Sequence, residues 1–221
     1  MNKKKEIFNL TIGFLGAMLG LLGVVLFNKY ILTSLPLALR MVMMIVTYWL
    51  PAVVPFIIML RDKRSLSDYG FYKDHIFKQI LIGLALAVAM SLVFTLFPHL
   101  LGYGEYVDSG KRYTFLWQFI YEFVYCVIAV GFTEELIFRG FLYDKFKEVF
   151  GTENAAVIGS SVLFGLFHIF GSNIGQIVMT GILGALFCLC RKKIKVCSTL
   201  SLIIMHGIYD ALITVWASCL L

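Results

Sequence analysis

Charged residues are scarce in this sequence. They make up 14% of its 221 residues, hydrophobic residues make up 60%, and the mean hydropathy is +0.89. Soluble domains carry about 25% charged residues, so the composition excludes a soluble domain and predicts an all-α, polytopic membrane protein. The net charge of +6 comes from basic residues in short clusters between apolar runs. Such clusters set membrane topology, and we therefore expect the lipid bilayer, and no nucleic acid, as a partner.

A disulfide framework, a zinc motif and a cleavable signal peptide are also lacking. The cysteines are odd in number, lie in or beside apolar segments and match no zinc-site spacing. The apolar run over residues 7–27 is longer than the core of a signal peptide and shows no small-residue cleavage site, so we interpret it as a retained first span. The cysteines are Cys126, Cys188, Cys190, Cys197 and Cys219.

Seven apolar segments are long enough to cross a membrane, and one further short segment would make eight. They cover about residues 7–27, 37–60, 79–100, 115–143, 155–170, 174–190 and 196–221. Most basic residues fall at one set of ends, at residues 3–5, 61–64, 73, 78, 145, 147 and 191–195. The opposite ends hold Lys29, Arg40, Lys111 and Arg112. The positive-inside rule then predicts a cytoplasmic N-terminus.

The first two segments show packing signals. Gly16 and Gly20 are spaced so that another helix can approach closely, and Pro51 and Pro55 predict a kink in the second segment. Glu122, near the non-cytoplasmic end of the fourth segment, is expected to be structural. Residues 144–154, which follow that segment, are expected to form a charged loop.

Three ionisable residues occur inside the fourth segment, in the sequence FTEELIFRG of residues 132–140. Charge in hydrocarbon is costly, so such residues normally face a protein interior and mark a functional site. Glu135 and Arg139 are four residues apart on one helix face and are predicted to form an ion pair. Glu134 points elsewhere and requires a polar partner on another helix. A purely structural ion pair with one spare acid is the alternative interpretation.

Two intramembrane histidines favour a shared site. At 1.5 Å per residue, Glu134, His168 and His206 all lie roughly 13 to 20 Å from the cytoplasmic helix ends. Phe164 is four residues before His168, so its ring can pack beside the imidazole. Asp210 is four residues after His206 and can orient it. Three polar residues at one depth on three helices predict one polar pocket.

These residues resemble the three motifs of the CAAX protease and bacteriocin-processing family of intramembrane proteases, also called the Abi family. The motifs are Glu134-Glu135-x-x-x-Arg139-Gly140, Phe164-x-x-x-His168 and His206-x-x-x-Asp210. The resemblance covers about residues 113–215. Within a single transmembrane domain over residues 1–221, it marks residues 113–221 as the catalytic core and leaves residues 1–112 without a family signal.

The resemblance implies a helical bundle around a polar cavity open to the cytoplasmic side, in a bacterial plasma membrane, and hydrolysis of a peptide or protein substrate. Glu134 would be the general base on a water, assisted by His168. His206 with Asp210 would stabilise the oxyanion, while Glu135, Arg139 and Phe164 would support the site. A carboxylate removed from water is a stronger base, which suits the first of these roles.

Several alternatives remain open at this stage. Many family members have asparagine where this chain has Asp210, and an ionised carboxylate cannot donate to an oxyanion. No cofactor is expected, with zinc held by Glu134, His168 and His206 as the alternative. The substrate could be a prenylated C-terminus, a bacteriocin leader or another membrane-associated peptide. A catalytically silent immunity or regulatory protein is the second hypothesis, and a transporter, disfavoured by the lack of repeats, is the third.

Overall fold

The computed structural model describes residues 3–108, 110–171 and 173–220. Within these ranges, seven helical segments are long and apolar enough to cross a membrane, and no strand occurs. The prediction of a polytopic helical bundle is therefore confirmed. Both ends of the single domain predicted over residues 1–221 lie outside the described residues. The spans are Lys3–Ser34, Leu37–Arg61, Ile76–Tyr106, Leu116–Phe150, Glu153–Phe170, Ile174–Lys193 and Thr199–Leu220.

Ten α-helices build these spans, and shorter helical turns join or interrupt them. The α-helices are α1 (Lys3–Tyr30), α2 (Leu37–Thr47), α3 (Val53–Arg61), α4 (Ile76–Ser91), α5 (Leu116–Tyr125), α6 (Phe132–Glu135), α7 (Tyr143–Phe150), α8 (Glu153–Phe167), α9 (Ile174–Lys193) and α10 (Thr199–Leu220). The 3₁₀ turns are Leu32–Ser34, Leu50–Ala52, Leu66–Tyr69, Gly104–Tyr106 and His168–Phe170, and the π-helical turns are Leu92–Leu96, His99–Tyr103, Cys126–Gly131 and Leu136–Leu142.

The prediction of a charged loop over residues 144–154 was wrong. Residues 143–150 form α7, and only two residues separate it from α8. The side chain of Thr152 accepts a hydrogen bond from the Ala155 amide and caps the start of α8. The charged residues of α7 are compatible with a helix because they are paired with charges from other parts of the chain.

Lys145 forms the centre of this pairing. Its side chain is 1% exposed and its ammonium nitrogen lies 2.8 Å from Glu6, 2.5 Å from Asp62 and 3.0 Å from Glu148. We call these four residues the Lys145 cluster. Arg64 extends it through ion pairs with Asp144 and Glu148. The cluster joins the first two spans to the fourth at the basic ends of the bundle.

The packing predicted for the first two spans is present. Helix α2 ends at Thr47, and a 3₁₀ turn containing Pro51 separates it from α3. A Cβ atom on Gly20 would lie 2.7 Å from the backbone of Leu50 and Pro51, so only glycine lets α1 approach this break so closely. Gly16 meets the side chain of Val54 in the same way.

Glu122 has the structural role expected for it. Its carboxylate accepts hydrogen bonds from Lys111 at 2.6 Å, Tyr113 at 2.9 Å and Thr214 at 3.2 Å. It therefore ties the connection before α5 to α10 at the end of the bundle opposite the Lys145 cluster. Its partners are separate from those of Glu134.

Candidate active site

The helix carrying the double glutamate is locally unusual. Glu134 and Glu135 lie on the short helix α6, with a π-helical turn directly before it and another, containing Arg139, directly after it. A π turn shifts the angular position of the residues beyond it and is often found at functional sites. A regular 3.6-residue period does not predict either turn.

Close approach of α10 brings the last motif to this helix. A Cβ atom at Gly207 would lie 2.5 Å from the Cα of Val127, within the first π turn, so a larger residue would push α10 away. His206, the preceding residue, is thereby held against α6. The glycine beside the histidine thus contributes to the geometry of the site.

Glu135, Arg139 and His206 form a buried triad. Arg139 donates to Glu135 Oε1 over 2.9 Å, as the spacing predicts, and His206 Nδ1 lies 2.8 Å from the same oxygen. An ionised carboxylate only accepts hydrogen bonds, so Nδ1 carries the proton and Nε2 points into the site. The Arg139 guanidinium lies between two aromatic rings, 4.1 Å from the Phe164 centroid and 4.7 Å from that of Phe187.

Glu134 faces both imidazoles, and its two carboxylate oxygens have different surroundings. Oε1 accepts a hydrogen bond from the Tyr48 hydroxyl at 2.6 Å. Oε2 is buried, has no hydrogen-bond partner among the described residues, and lies 3.8 Å from Nε2 of His168 and 3.8 Å from Nε2 of His206. These separations are longer than hydrogen bonds. This carboxylate oxygen and the two imidazole nitrogens therefore converge without being paired to one another.

His168 is oriented by its own helix. It directly follows Phe167, the last residue of α8, and its Nδ1 lies 2.9 Å from the Phe164 carbonyl oxygen. A carbonyl oxygen only accepts, so Nδ1 carries a proton, and Nε2, which has a lone pair when the ring is neutral, points toward Glu134. The Phe164 ring packs edge-on against this imidazole, with centroids 5.1 Å apart, as the four-residue spacing predicts.

Asp210 lies at the more open side of the site. Its Oδ2 is 3.4 Å from Nε2 of His206, and its side chain is 30% exposed, similar to the 29% of His168. Glu134, by contrast, is 1% exposed. The structure therefore brings together Glu134, His168, His206 and Asp210, with Glu135, Arg139 and Phe164 packed behind them.

A cavity of about 340 Å³ adjoins these side chains. Its lining comprises Tyr48, Val130, Glu134, Phe164, His168, Thr180, Leu183, Phe187, His206, Tyr209, Asp210 and Ile213. The other lining residues lie either at the same depth as the motif residues or nearer to the helix ends that carry few basic residues. The cavity has one wall of carboxylate and imidazole groups, and its other walls are largely apolar.

The basic side of the site is occupied by protein. Every residue of Leu136–Leu142 is buried, and the ring of Tyr69 is buried as well. The opening of the cavity to the cytoplasmic side stays a prediction.

Sequence reasoning missed two residues of this site. Tyr48 lies in the part of the chain without a family signal, and Phe187 is one of many aromatic residues in an apolar span. The proline three residues after Tyr48 was a usable signal, since it breaks the helix and lets a side chain at the break point across the bundle. No comparable signal marks Phe187.

The metal question is still a prediction. The described residues include no group of three or more histidine, cysteine, aspartate or glutamate side chains placed to hold a metal ion. Glu134, His168 and His206 nevertheless remain the residues that the zinc alternative names. Metal-free hydrolysis stays the expectation, to be tested by chelation.

The fold and the site together define a class, the polytopic membrane proteins that enclose a buried glutamate and histidine site. Residues 113–212 match the family described as type II CAAX prenyl endopeptidase Rce1-like. The match confirms the resemblance of these residues to the CAAX protease and bacteriocin-processing family. The matched residues include every motif position and exclude Tyr48. No curated protein and no solved structure matches the chain.

This family is one of proteases, and the match supports a CAAX-protease-like intramembrane endopeptidase. The seven spans support an integral membrane protein. A protease family also implies a peptide substrate.

Proposed function

We propose that this protein is an intramembrane endopeptidase that hydrolyses a peptide bond with a water activated by Glu134 and His168. The observation that carries the proposal is the position of Glu134 Oε2, which is buried, lacks a hydrogen bond among the described residues and faces two imidazole Nε2 atoms at 3.8 Å. A buried carboxylate oxygen without a hydrogen-bond partner is costly in a purely structural site. It is suited to taking a proton from a reactant.

In the first step, Glu134 Oε2 takes a proton from the water while the lone pair of His168 Nε2 accepts the water's second hydrogen bond. The water oxygen forms a bond to the substrate carbonyl carbon, and the carbonyl π electrons move to the oxygen. This gives a tetrahedral oxyanion. Burial of the carboxylate and exclusion of other water by the apolar walls favour this transfer.

His206 and Asp210 act on the oxyanion. Glu135 holds Nδ1 of His206, so Nε2 is aimed into the cavity, and protonated Nε2 donates to the negative oxygen. Asp210, 3.4 Å away, supports the protonated imidazole and leaves donation to His206. When the oxyanion collapses, the C–N bond breaks and the proton held by Glu134 passes to the leaving amine. The products are a new carboxyl end and a new amino end.

The substrate is a membrane-associated peptide, for which a bacteriocin leader is one candidate. Half-buried apolar side chains of Val130, Leu183 and Ile213 line the cavity and suit apolar peptide side chains.

Cells that carry Glu134→Gln in place of the wild-type protein test this proposal. Membrane peptides are compared by mass spectrometry, and the expected result is that uncleaved substrate accumulates with Glu134→Gln. The matched control is Glu122→Gln, which alters another buried carboxylate, 4% exposed, outside the cavity and should leave cleavage intact. Unchanged peptides with Glu134→Gln would contradict the proposal and favour the catalytically silent immunity or regulatory protein.

A further inference from the structure

Tyr48 comes from the half of the chain that lies outside the family match, yet it makes the shortest polar contact of Glu134. Its hydroxyl donates to Glu134 Oε1 over 2.6 Å, and its ring lines the cavity. Helix α2 ends one residue before it. The contact joins the second span to the fourth across a sequence separation of 86 residues.

The break in the second span holds Tyr48 in place. The chain leaves α2 at Tyr48, and the 3₁₀ turn Leu50–Ala52 begins two residues later. Next to it, Trp49 donates to the Ile128 carbonyl over 2.9 Å, which ties the break to the π turn before α6. The Tyr48 ring also packs edge-on against Tyr125, with centroids 5.9 Å apart. Tyr48 therefore has little freedom to leave Glu134.

We propose that Tyr48 is a positioning residue for Glu134, an inference that rests on the proposed function. A carboxylate can rotate about its last side-chain bond and exchange its two oxygens. By occupying Oε1, Tyr48 fixes that rotation and leaves Oε2 directed at His168 and His206. Without the hydroxyl, Glu134 can turn and pair directly with the protonated Nε2 of His206, which removes the free oxygen that the water requires.

A second tyrosine gives a matched control for a purely structural role. The Tyr121 hydroxyl donates to the Met41 carbonyl over 2.9 Å and so also joins the fourth span to the second. It does not contact Glu134 or line the cavity. Tyr48→Phe and Tyr121→Phe each remove one hydroxyl from the same pair of spans, and only the first removes a donor from the site.

The test measures kcat and KM for the full-length variants on a peptide that the wild-type protein cleaves. We expect Tyr48→Phe to lower kcat about 10- to 100-fold with KM changed less than about twofold, because a hydrogen bond to a charged group is lost while the lining ring remains. Tyr121→Phe should leave kcat within about twofold. Equal kcat values for the two variants, or a loss confined to KM, would overturn the inference.

A second measurement does not depend on catalysis. Thermal stability is measured for Tyr48→Phe in the wild-type background and in Glu134→Ala, as a double-mutant cycle. The substitution should lower the melting temperature only where Glu134 is present, since only there does a buried acceptor lose its donor. The same change in both backgrounds would refute the contact itself. If the cycle shows coupling between Tyr48 and Glu134 but the protein cleaves no peptide, the result would count against the proposed function alone.

Discussion

Two buried groups of charges lie on the fourth span, and they differ in how completely they are paired. In the Lys145 cluster, one ammonium contacts three carboxylates, and no buried polar side-chain atom among its described members lacks a hydrogen bond. In the site, Glu134 Oε2, Glu135 Oε2 and Arg139 Nη2 are all buried without a hydrogen-bond partner within the described part of the chain.

We interpret this difference, for Glu134, as one between charge that holds spans together and charge that is left available to a substrate. A fully paired buried charge stabilises the connection between spans, and losing one partner leaves the others uncompensated. An incompletely paired carboxylate contributes little stability and remains available to a reactant. Substitution within the Lys145 cluster is therefore expected to destabilise the protein, whereas substitution of Glu134 is not.

The largest effect on stability is expected at the centre of the Lys145 cluster. Lys145→Met leaves Glu6, Asp62 and Glu148 without their common partner and should lower the free energy of unfolding by about 3–5 kcal/mol. Denaturation in detergent measures it. Lys147→Met, at a 52% exposed position two residues away, should change stability by less than about 0.5 kcal/mol. Similar losses of unfolding free energy for Lys145→Met and Lys147→Met would show that the Lys145 cluster contributes no more stability than an exposed charge.

A smaller effect is expected from the acid dependence of Asp62. Burial alone would raise the pKa of this carboxyl, but its hydrogen bond to Lys145 and the charge of Lys145 outweigh burial and lower the pKa below the ordinary value of 3.8. Because the unfolded chain binds the proton more readily, this stabilisation is present above about pH 4 and is lost as the pH falls through the lowered pKa.

Melting temperatures between about pH 3 and pH 7 for the wild type and Asp62→Asn measure this dependence. The variant should be less stable near neutral pH and should lose less stability on acidification. If the melting temperatures of the two proteins depend on pH in the same way, Asp62 does not contribute to the acid dependence of the cluster.

The smallest effect on stability is expected at the site. Glu134→Gln keeps a carbonyl oxygen for the Tyr48 hydroxyl and removes a charge that no hydrogen bond compensates at Oε2. Its melting temperature should therefore equal or slightly exceed that of the wild type, as is common when a functional charge is removed. A loss as large as that of Lys145→Met would show that Glu134 is a structural residue.

The sequence predicted those features that depend on local spacing or on the cost of charge in a membrane. The Glu135–Arg139 pair, the packing of Phe164 on His168 and the close approach at Gly20 all follow from helical geometry and side-chain size. The convergence of Glu134, His168 and His206 followed from comparing depths along straight helices. It required no knowledge of which spans are neighbours.

The missed features depend on contacts that no single segment contains. Residues 144–150 appeared to form a loop because their charges have partners on the first, second and following segments, such as Glu6 and Arg64. The π turn before α6 lies where α10 approaches closely at Gly207, a contact between two distant segments. Tyr48 was missed because its partner is 86 residues away.

The central claim is that Glu134 activates water for peptide hydrolysis, and a single-turnover reaction in water enriched in ¹⁸O tests it most directly. We expect the wild-type protein to place one ¹⁸O atom in the new carboxyl end during the first turnover, and we expect Glu134→Gln to release no product. An unlabelled first-turnover product would indicate that a side-chain oxygen attacks instead, and cleavage by Glu134→Gln at the wild-type rate would contradict the account.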